Sequence, residues 1–265
     1  MSRGCITFLT DFGTADPYVA AMKGAALSVN PEVSLVDVSH EVLPHDVVGA
    51  AYLLAWSFRY FPPRTVHVAV VDPGVGSERR ILAAEVQGQV LMAPDNGLLS
   101  VALAQVSPTR LVNVTNGAYF RHPVSMTFHG RDVLAPVAAH LTLGVDVGKL
   151  GRPVADPVQL TDAAPRRVAD NVLEGSIVHV DHFGNLITNI SRKDLAALDP
   201  SGDAVLEVGL ADAVIEGIHG AYTEVGVGKL LAVIGSSGLL EVSANRRSAA
   251  DVLGVGRGTA VRVAR

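Results

Sequence analysis

The hydrophobic pattern of this chain changes character near residue 150. Before that point, short apolar runs of strand length alternate with longer segments whose apolar residues recur at helical spacing. Cys5–Thr10 and Val33–Val38 predict strands. Val66–Val71 is almost continuously apolar, as expected of a strand covered on both faces. Tyr18–Val29 and Val47–Tyr60 predict helices, stopped by Asn30-Pro31 and by Pro62-Pro63. Ile81–Val86 and Val90–Ala93, divided by Gly88, predict a hairpin, and Gly97–Val106 and Asp132–Leu143 predict helices. Strands alternating with helices imply an α/β layered domain over residues 1–150, with a largely parallel sheet flanked by helices.

Residues 151–172 break the alternation. Pro153, Pro157 and Pro165 fall in a stretch rich in Ala and charge, which reads as a linker or a surface strap. From 173 to 265 short β-like runs recur: Ser176–Val180, Leu186–Ile190, Ala204–Val208, Leu230–Ile234, Leu239–Val242 and Thr259–Val263. Only Arg192–Leu198 has a helical pattern. A C-terminal antiparallel β-barrel domain is expected.

Composition narrows the function classes. The 265 residues carry a net charge of −5 and no extended run of Lys or Arg, so a nucleic-acid partner has no electrostatic footprint. No stretch of about 18 apolar residues is present, so no membrane partner is expected. The apolar segment before Asp11 is too short for a secretory signal, and the single cysteine, Cys5, excludes an internal disulfide. The expectation is a cytoplasmic protein. Cys5 opens a strand-like run and reads as a small core residue.

The candidate chemistry sits where apolar runs end. Asp11, in Asp11-Phe12-Gly13-Thr14-Ala15-Asp16, follows the first strand. Ligands of α/β sheets bind beyond such ends, and a carboxylate can hold two ribose hydroxyls; a turn or helix cap suits the same residues. No Gly-x-Gly-x-x-Gly follows, which argues against a dinucleotide site. Asp72 ends the Val66–Val71 run and opens Asp72-Pro73-Gly74-Val75-Gly76, with Arg79 and Arg80 beyond the turn. Pro94-Asp95-Asn96-Gly97 joins a strand to a helix, so Asp95 and Asn96 are capping residues or ligand contacts. In Phe128-His129-Gly130-Arg131-Asp132 an imidazole stands at a predicted helix start, where negative charge is favoured. An Asp, an Arg and a His can bind, orient and deprotonate a water without a metal. In the second domain, Asp181-His182-Phe183-Gly184-Asn185 offers a ring to stack on a flat base and an amide for its edge, or a plain β-turn. Gly235-Ser236-Ser237-Gly238 reads as a loop or as a cradle for a carboxylate.

These residues resemble the S-adenosylmethionine (SAM) hydroxide adenosyltransferase family, relatives of SAM-dependent fluorinating and chlorinating enzymes. The resemblance runs from Phe8-Leu9-Thr10-Asp11-Phe12-Gly13 to Ser243-Ala244-Asn245. It is most specific at Val71-Asp72-Pro73-Gly74-Val75-Gly76 and Thr127-Phe128-His129-Gly130-Arg131-Asp132. It implies hydrolysis of SAM to adenosine and L-methionine by attack at C5′, with SAM as substrate and no cofactor or metal. It also implies a homotrimer with active sites between subunits. By the family pattern, Asp72, Arg79 and His129 handle the water and Asp11 holds the ribose. Asp181, Phe183 and Asn185 from a neighbouring subunit meet the amino acid and adenine, and Ser236 meets the methionine carboxylate. Two departures stand out: Ser237 where the fluorinating branch has Arg, and His45 in place of an aromatic.

The halogenating branch is the nearest alternative. Its pattern has Tyr at the Asp72 position, lacks the Arg79 and His129 pair, and in fluorinating members carries an insertion that the short Arg80–Ala93 hairpin lacks. Another alternative, a two-metal phosphoesterase using Asp11, His40, Asp72, Asp95 and His129, is opposed by the absence of His-x-His or His-x-x-x-His spacing. A non-catalytic SAM or nucleoside binder would have no need of the Asp72/Arg79/His129 set.

Overall fold

The computed structural model describes residues 4–161 and 164–265, and the chain divides into two compact units, Met1–Leu160 and Thr161–Arg265.

The first unit is built on a seven-stranded sheet. Its strands are β1 (Cys5–Thr10), β2 (Ser34–Ser39), β3 (Thr65–Val70), β4 (Ile81–Val86), β5 (Gln89–Pro94), β6 (Arg110–Val114) and β7 (Gly151–Pro153), in the order β2-β1-β3-β5-β4-β6-β7. The sheet is mixed. The β2-β1-β3-β5 half is parallel, and β4, β6 and β7 pair antiparallel. The direction of each strand places the chemistry. The C-terminal ends of the adjacent parallel strands β1, β3 and β5 lead to Asp11, Asp72 and Asp95. Strand β4 runs the other way, so Arg79 and Arg80, just before it, arrive at the same edge.

Helices α1 (Tyr18–Val29), α2 (Val47–Ser57), α3 (Ser100–Gln105) and α4 (Ala135–Thr142) complete this unit. Asp46 caps α2 by accepting from the Gly49 amide. One core joins Ile6, Phe8, Val66, Val68 and Met92 of the sheet to Met22 and Ala26 of α1 and Leu134, Val137 and Ala138 around α4. The hairpin predicted at Gly88 is a two-residue turn with both Gln87 and Gly88 at positive φ (49° and 76°), the geometry that matches strand twist.

Two local readings change. The helix expected from Asp132 begins as a π-helical turn, Gly130–Leu134, before α4 takes over. Such turns widen the backbone where a site needs a side chain re-aimed. Strand β6 escaped the pattern because Arg110-Leu111-Val112-Asn113-Val114 is short and half polar.

The stretch read as linker holds two strands. Gly151–Pro153 is β7, and Arg166–Ala169, hereafter β8, pairs with the first long strand of the second unit. The second unit continues with β9 (Val172–Val180), β10 (Leu186–Ser191), helix α5 (Arg192–Leu198), β11 (Glu207–Leu210), β12 (Ala213–Glu216), β13 (Leu230–Ile234), β14 (Leu239–Ala244), helix α6 (Ala249–Leu253) and β15 (Ala260–Ala264). The order is β12-β11-β15-β9-β10-β14-β13, antiparallel throughout, with β8 off this path on β9. His219, just past β12, bridges Val233 on β13, which nearly closes the sheet into a barrel. Helix α6 was not expected. Five residues are too few to show a period, and it is set by its ends: Ser248 accepts from the Asp251 amide, and Gly254 terminates it at φ 64°.

Candidate active site

The loops beyond β1 and β3 and the approach to the π-helical turn enclose a cavity of about 290 Å³. Asp11, Tyr18, His45, Asp72, Phe128 and His129 are among the residues lining it. Phe12, Tyr18 and Phe128 pack edge to face on one another, with centroids 5.5–6.0 Å apart, and form an aromatic wall.

Asp72 and His129 are joined through Arg79, which is not among the cavity-lining residues and faces a neighbouring cleft. Arg79 donates from Nε to both carboxylate oxygens of Asp72 (2.7 and 2.8 Å) and from Nη2 to Oδ2. The same Nη2 donates to Nδ1 of His129 at 2.9 Å. The Asp72 and Arg79 side chains are only 5% and 9% exposed, so this pair is little screened by solvent. A guanidinium has no acceptor, so Nδ1 of His129 must be the unprotonated nitrogen, and the neutral ring carries its proton on Nε2. The pKa of His129 agrees. Burial first, and the Arg79 cation second, hold it below the ordinary imidazole value against the pull of Asp72 and Asp132.

The loop that presents Asp72 and Arg79 fits one backbone geometry. Gly76 has φ 81°, and a Cβ there would lie 2.5 Å from the Met126 carbonyl oxygen. The 72–79 loop therefore lies directly against the segment leading to His129.

Asp11 accepts the His45 amide at Oδ2 (2.9 Å) while lining the cavity. Its turn is pinned from behind. Thr10 Oγ1 accepts the Phe12 amide and contacts His40 Nδ1 at 2.9 Å, and the His40 carbonyl accepts the Gly13 amide. His40 Nε2 lies 3.0 Å from Asp37. His40 is thus a buried support.

Asp95 and Asn96 are not among the cavity-lining residues. Asp95 is buried, accepting from Arg80 Nε (2.6 Å) and from the Val158 amide (2.8 Å). Asn96 donates to the Val71 carbonyl at 2.8 Å, one residue before Asp72. Arg80 goes to Asp95 and Asp156, whereas Arg79 goes to Asp72 and His129. Adjacent arginines therefore have separate tasks. The ligand set of a two-metal phosphoesterase is not assembled: among the described residues no group of three or more His, Cys, Asp or Glu is placed to hold a metal ion.

In the second unit, Asp181 organises its own turn. Oδ1 accepts the Phe183 and Asn185 amides, and Oδ2 accepts Asn185 Nδ2, all at 2.9 Å. Gly184, at φ 79°, packs so tightly on Ser248 that a Cβ would sit 2.1 Å from its hydroxyl. Phe183 stands 74% exposed on this turn. Ser236 is exposed in the tight turn between β13 and β14, and Ser237 Oγ accepts the Leu239 amide to close it.

Residues 6–151 match the SAM hydroxide adenosyltransferase N-terminal domain, and residues 175–262 match the C-terminal domain. The chain belongs to the SAM hydroxide adenosyltransferase family. It is 40% identical over 262 residues to a Salinispora tropica protein named (R)-S-adenosyl-L-methionine hydrolase, covering 97% of each chain. A Thermus thermophilus protein of the same name is 39% identical over 266 residues, covering 97% of this chain and 98% of the relative. A Nocardia brasiliensis fluorinase is more distant, 30% identical over 291 residues and covering 98% and 97%. Among solved structures, an uncharacterized conserved protein from Thermotoga maritima superposes with a TM-score of 0.90 at 33% identity, covering 98% of this chain and all of the other.

For this SAM hydroxide adenosyltransferase family member, sequence reasoning did not single out Tyr18 and Phe128 as cavity walls, or Thr10 and His40 as supports. Tyr18 and Phe128 carry one signal, exposed or half-buried aromatics beside an acid-bearing turn, but that signal is common on surfaces.

Proposed function

We propose that this chain hydrolyses SAM to adenosine and L-methionine, with water attacking C5′ and the thioether leaving. The observation that carries the reading is the Asp72–Arg79–His129 contact, whose carboxylate and imidazole line the cavity of about 290 Å³ and are joined by the guanidinium from the side of a neighbouring cleft.

The sulfonium needs no acid, because it leaves as neutral methionine sulfur. Water is the weak partner, because it holds its proton far above neutral pH and is a poor nucleophile until that proton is drawn away. Proton removal leads C5′–O bond formation, so the attacking oxygen carries hydroxide character as it approaches the carbon. Neutral His129, with its proton on Nε2, orients the water as a donor. The Asp72 carboxylate takes the proton and passes it to solvent, and Arg79 stabilises hydroxide character by charge. The electron pair of the C5′–S bond returns to sulfur, so charge and atoms balance. Opposite charges on nucleophile and sulfonium cancel in the transition state, and exclusion of bulk water favours that cancellation.

Asp11 holds the ribose hydroxyls in this reading, and the aromatic wall packs on the apolar part of the ligand. Asp181, Phe183, Asn185 and Ser236 serve adenine and methionine from a neighbouring subunit of a homotrimer; Asp95 and Asn96 support the site from behind. No cofactor is needed, the partner is the small molecule SAM, and the protein works in the cytoplasm. Among the described residues no helix is long and apolar enough to cross a membrane.

Chelator-treated protein incubated with SAM should give adenosine and methionine in equal amounts by chromatography. Activity abolished by chelation and restored by a divalent ion would overturn the metal-free scheme. A 5′-halo-adenosine product would favour the halogenase alternative.

A further inference from the structure

His129 sits on a loop gripped by a carboxylate to which the reaction scheme gives no role. Asp132 is fully buried. Arg131 meets it with both Nε and Nη2 at 2.7 Å, Arg121 Nη1 donates to it at 3.1 Å, and the Ser125 amide donates at 2.9 Å. The backbone doubles the grip: Arg121 N donates to the Asp132 carbonyl at 2.8 Å, and Asp132 N donates to the Phe128 carbonyl at 3.1 Å. Both ends of the 121–132 loop thus close on one residue. Arg131 also lies over the Phe128 ring, 4.9 Å from its centroid, which ties the clamp to the aromatic wall.

We propose that Asp132 is the positioning residue for His129, fixing the loop on which the imidazole meets Arg79. The charge of Asp132 matters as well as its hydrogen bonds. Burial raises the pKa of Asp132, but its bonds from Arg131, Ser125 and Arg121 outweigh that and hold it ionised. That anion opposes burial and the Arg79 cation at His129. The charged groups around the imidazole are Arg79 and Asp72 from the β3–β4 loop and Asp132 from its own turn. Asp11, His45 and Tyr18 line the same cavity from other elements.

The proposal rests on the role given to His129 above, so the experiment includes a readout independent of turnover. The His129 ring would be titrated by NMR in the full-length native protein and in Asp132→Asn, Asp132→Glu and Arg121→Met variants, with kcat and SAM affinity measured alongside. Asp132→Asn should lower the His129 pKa. It should also cut kcat roughly 10- to 100-fold with SAM affinity retained, the scale of a misplaced catalytic group. Asp132→Glu should recover part of the kcat. Arg121→Met removes a half-exposed guanidinium (51%) and leaves more of the Asp132 charge uncompensated, so the His129 pKa should rise. Opposite shifts in these variants are not expected of a merely structural clamp. A native kcat and a native His129 titration in Asp132→Asn would overturn the proposal. So would a downward shift in Arg121→Met, which also decides the matter if Asp132→Asn does not fold. A native protein that leaves SAM intact would instead overturn the functional reading, while the titrations would still judge Asp132.

Discussion

Replacing Arg79 by methionine removes the group that touches both other members of the set. The change deletes three hydrogen bonds to the Asp72 carboxylate and one to His129 Nδ1. Asp72 would be left 5% exposed with its cation gone. Breaking a buried pair in this way costs roughly 3–5 kcal/mol, and water entering the cavity brings the stability loss toward the lower figure. Loss of a preorganised donor at a developing oxyanion lowers turnover by about 10²–10³-fold, and similar loss is expected for hydroxide held by Arg79. SAM affinity should survive, since Asp11 and the aromatic wall are untouched. The depressing effect of the Arg79 charge on His129 also disappears, so the acid limb of the rate profile should move to higher pH. Single-turnover conversion of SAM to adenosine, with binding calorimetry and thermal melts on the same samples, separates these effects. A variant with near-native turnover would refute the role given to Arg79, as would one whose whole defect lay in SAM affinity.

Three further outcomes are expected. Gly76→Ala forces a Cβ to within 2.5 Å of the Met126 carbonyl at φ 81°, so it should depress kcat far more than Gly144→Ala, whose Cβ meets nothing within 4 Å; equal kcat in the two would contradict the packing argument. Asp11→Asn should weaken SAM binding by about 10- to 100-fold, the scale of charge-assisted hydrogen bonds, with kcat at saturation preserved; an unchanged Kd would remove Asp11 from the ribose site. Buried His67 accepts from Thr7 at Nδ1 and donates from Nε2 to Gln89, both at 2.8 Å, and burial lowers its pKa from 6.5 to about 4. The unfolded chain takes up this proton near pH 6.5 and the folded chain only near pH 4. About 3 kcal/mol of stability is therefore full above pH 6.5 and lost progressively as pH falls to about 4. His67→Gln should flatten that dependence in urea melts between those values, and an unchanged slope would contradict it.

The sequence made the strand-end acids legible because each follows an apolar run whose end cannot be hidden. Asp11 and Asp72 could be placed at the edge of a sheet on that ground. Pattern alone could not divide labour between Arg79 and Arg80, since neighbours share every local signal. Partners 50 and 76 residues away, His129 and Asp156, decide it. Asp132 looked like an ordinary first-turn acid of a helix; its grip on Ser125 and Arg121 exists only once the 121–132 loop has folded. Asp95 and Asn96 showed the opposite difficulty, where a plausible ligand motif is consumed by Arg80, the Val158 amide and the Val71 carbonyl. In the second unit the alternating runs announced the barrel strands, but β12 and α6 are too short for any period to register.

Isotopic labelling tests the central claim most directly. Chelator-treated protein would turn over SAM in ¹⁸O-enriched water, and the products would be separated and weighed by mass spectrometry. The account predicts one ¹⁸O in adenosine, at the 5′ oxygen, and none in the methionine released with it. Unlabelled adenosine, label in the amino-acid product, or no reaction without added metal would contradict it.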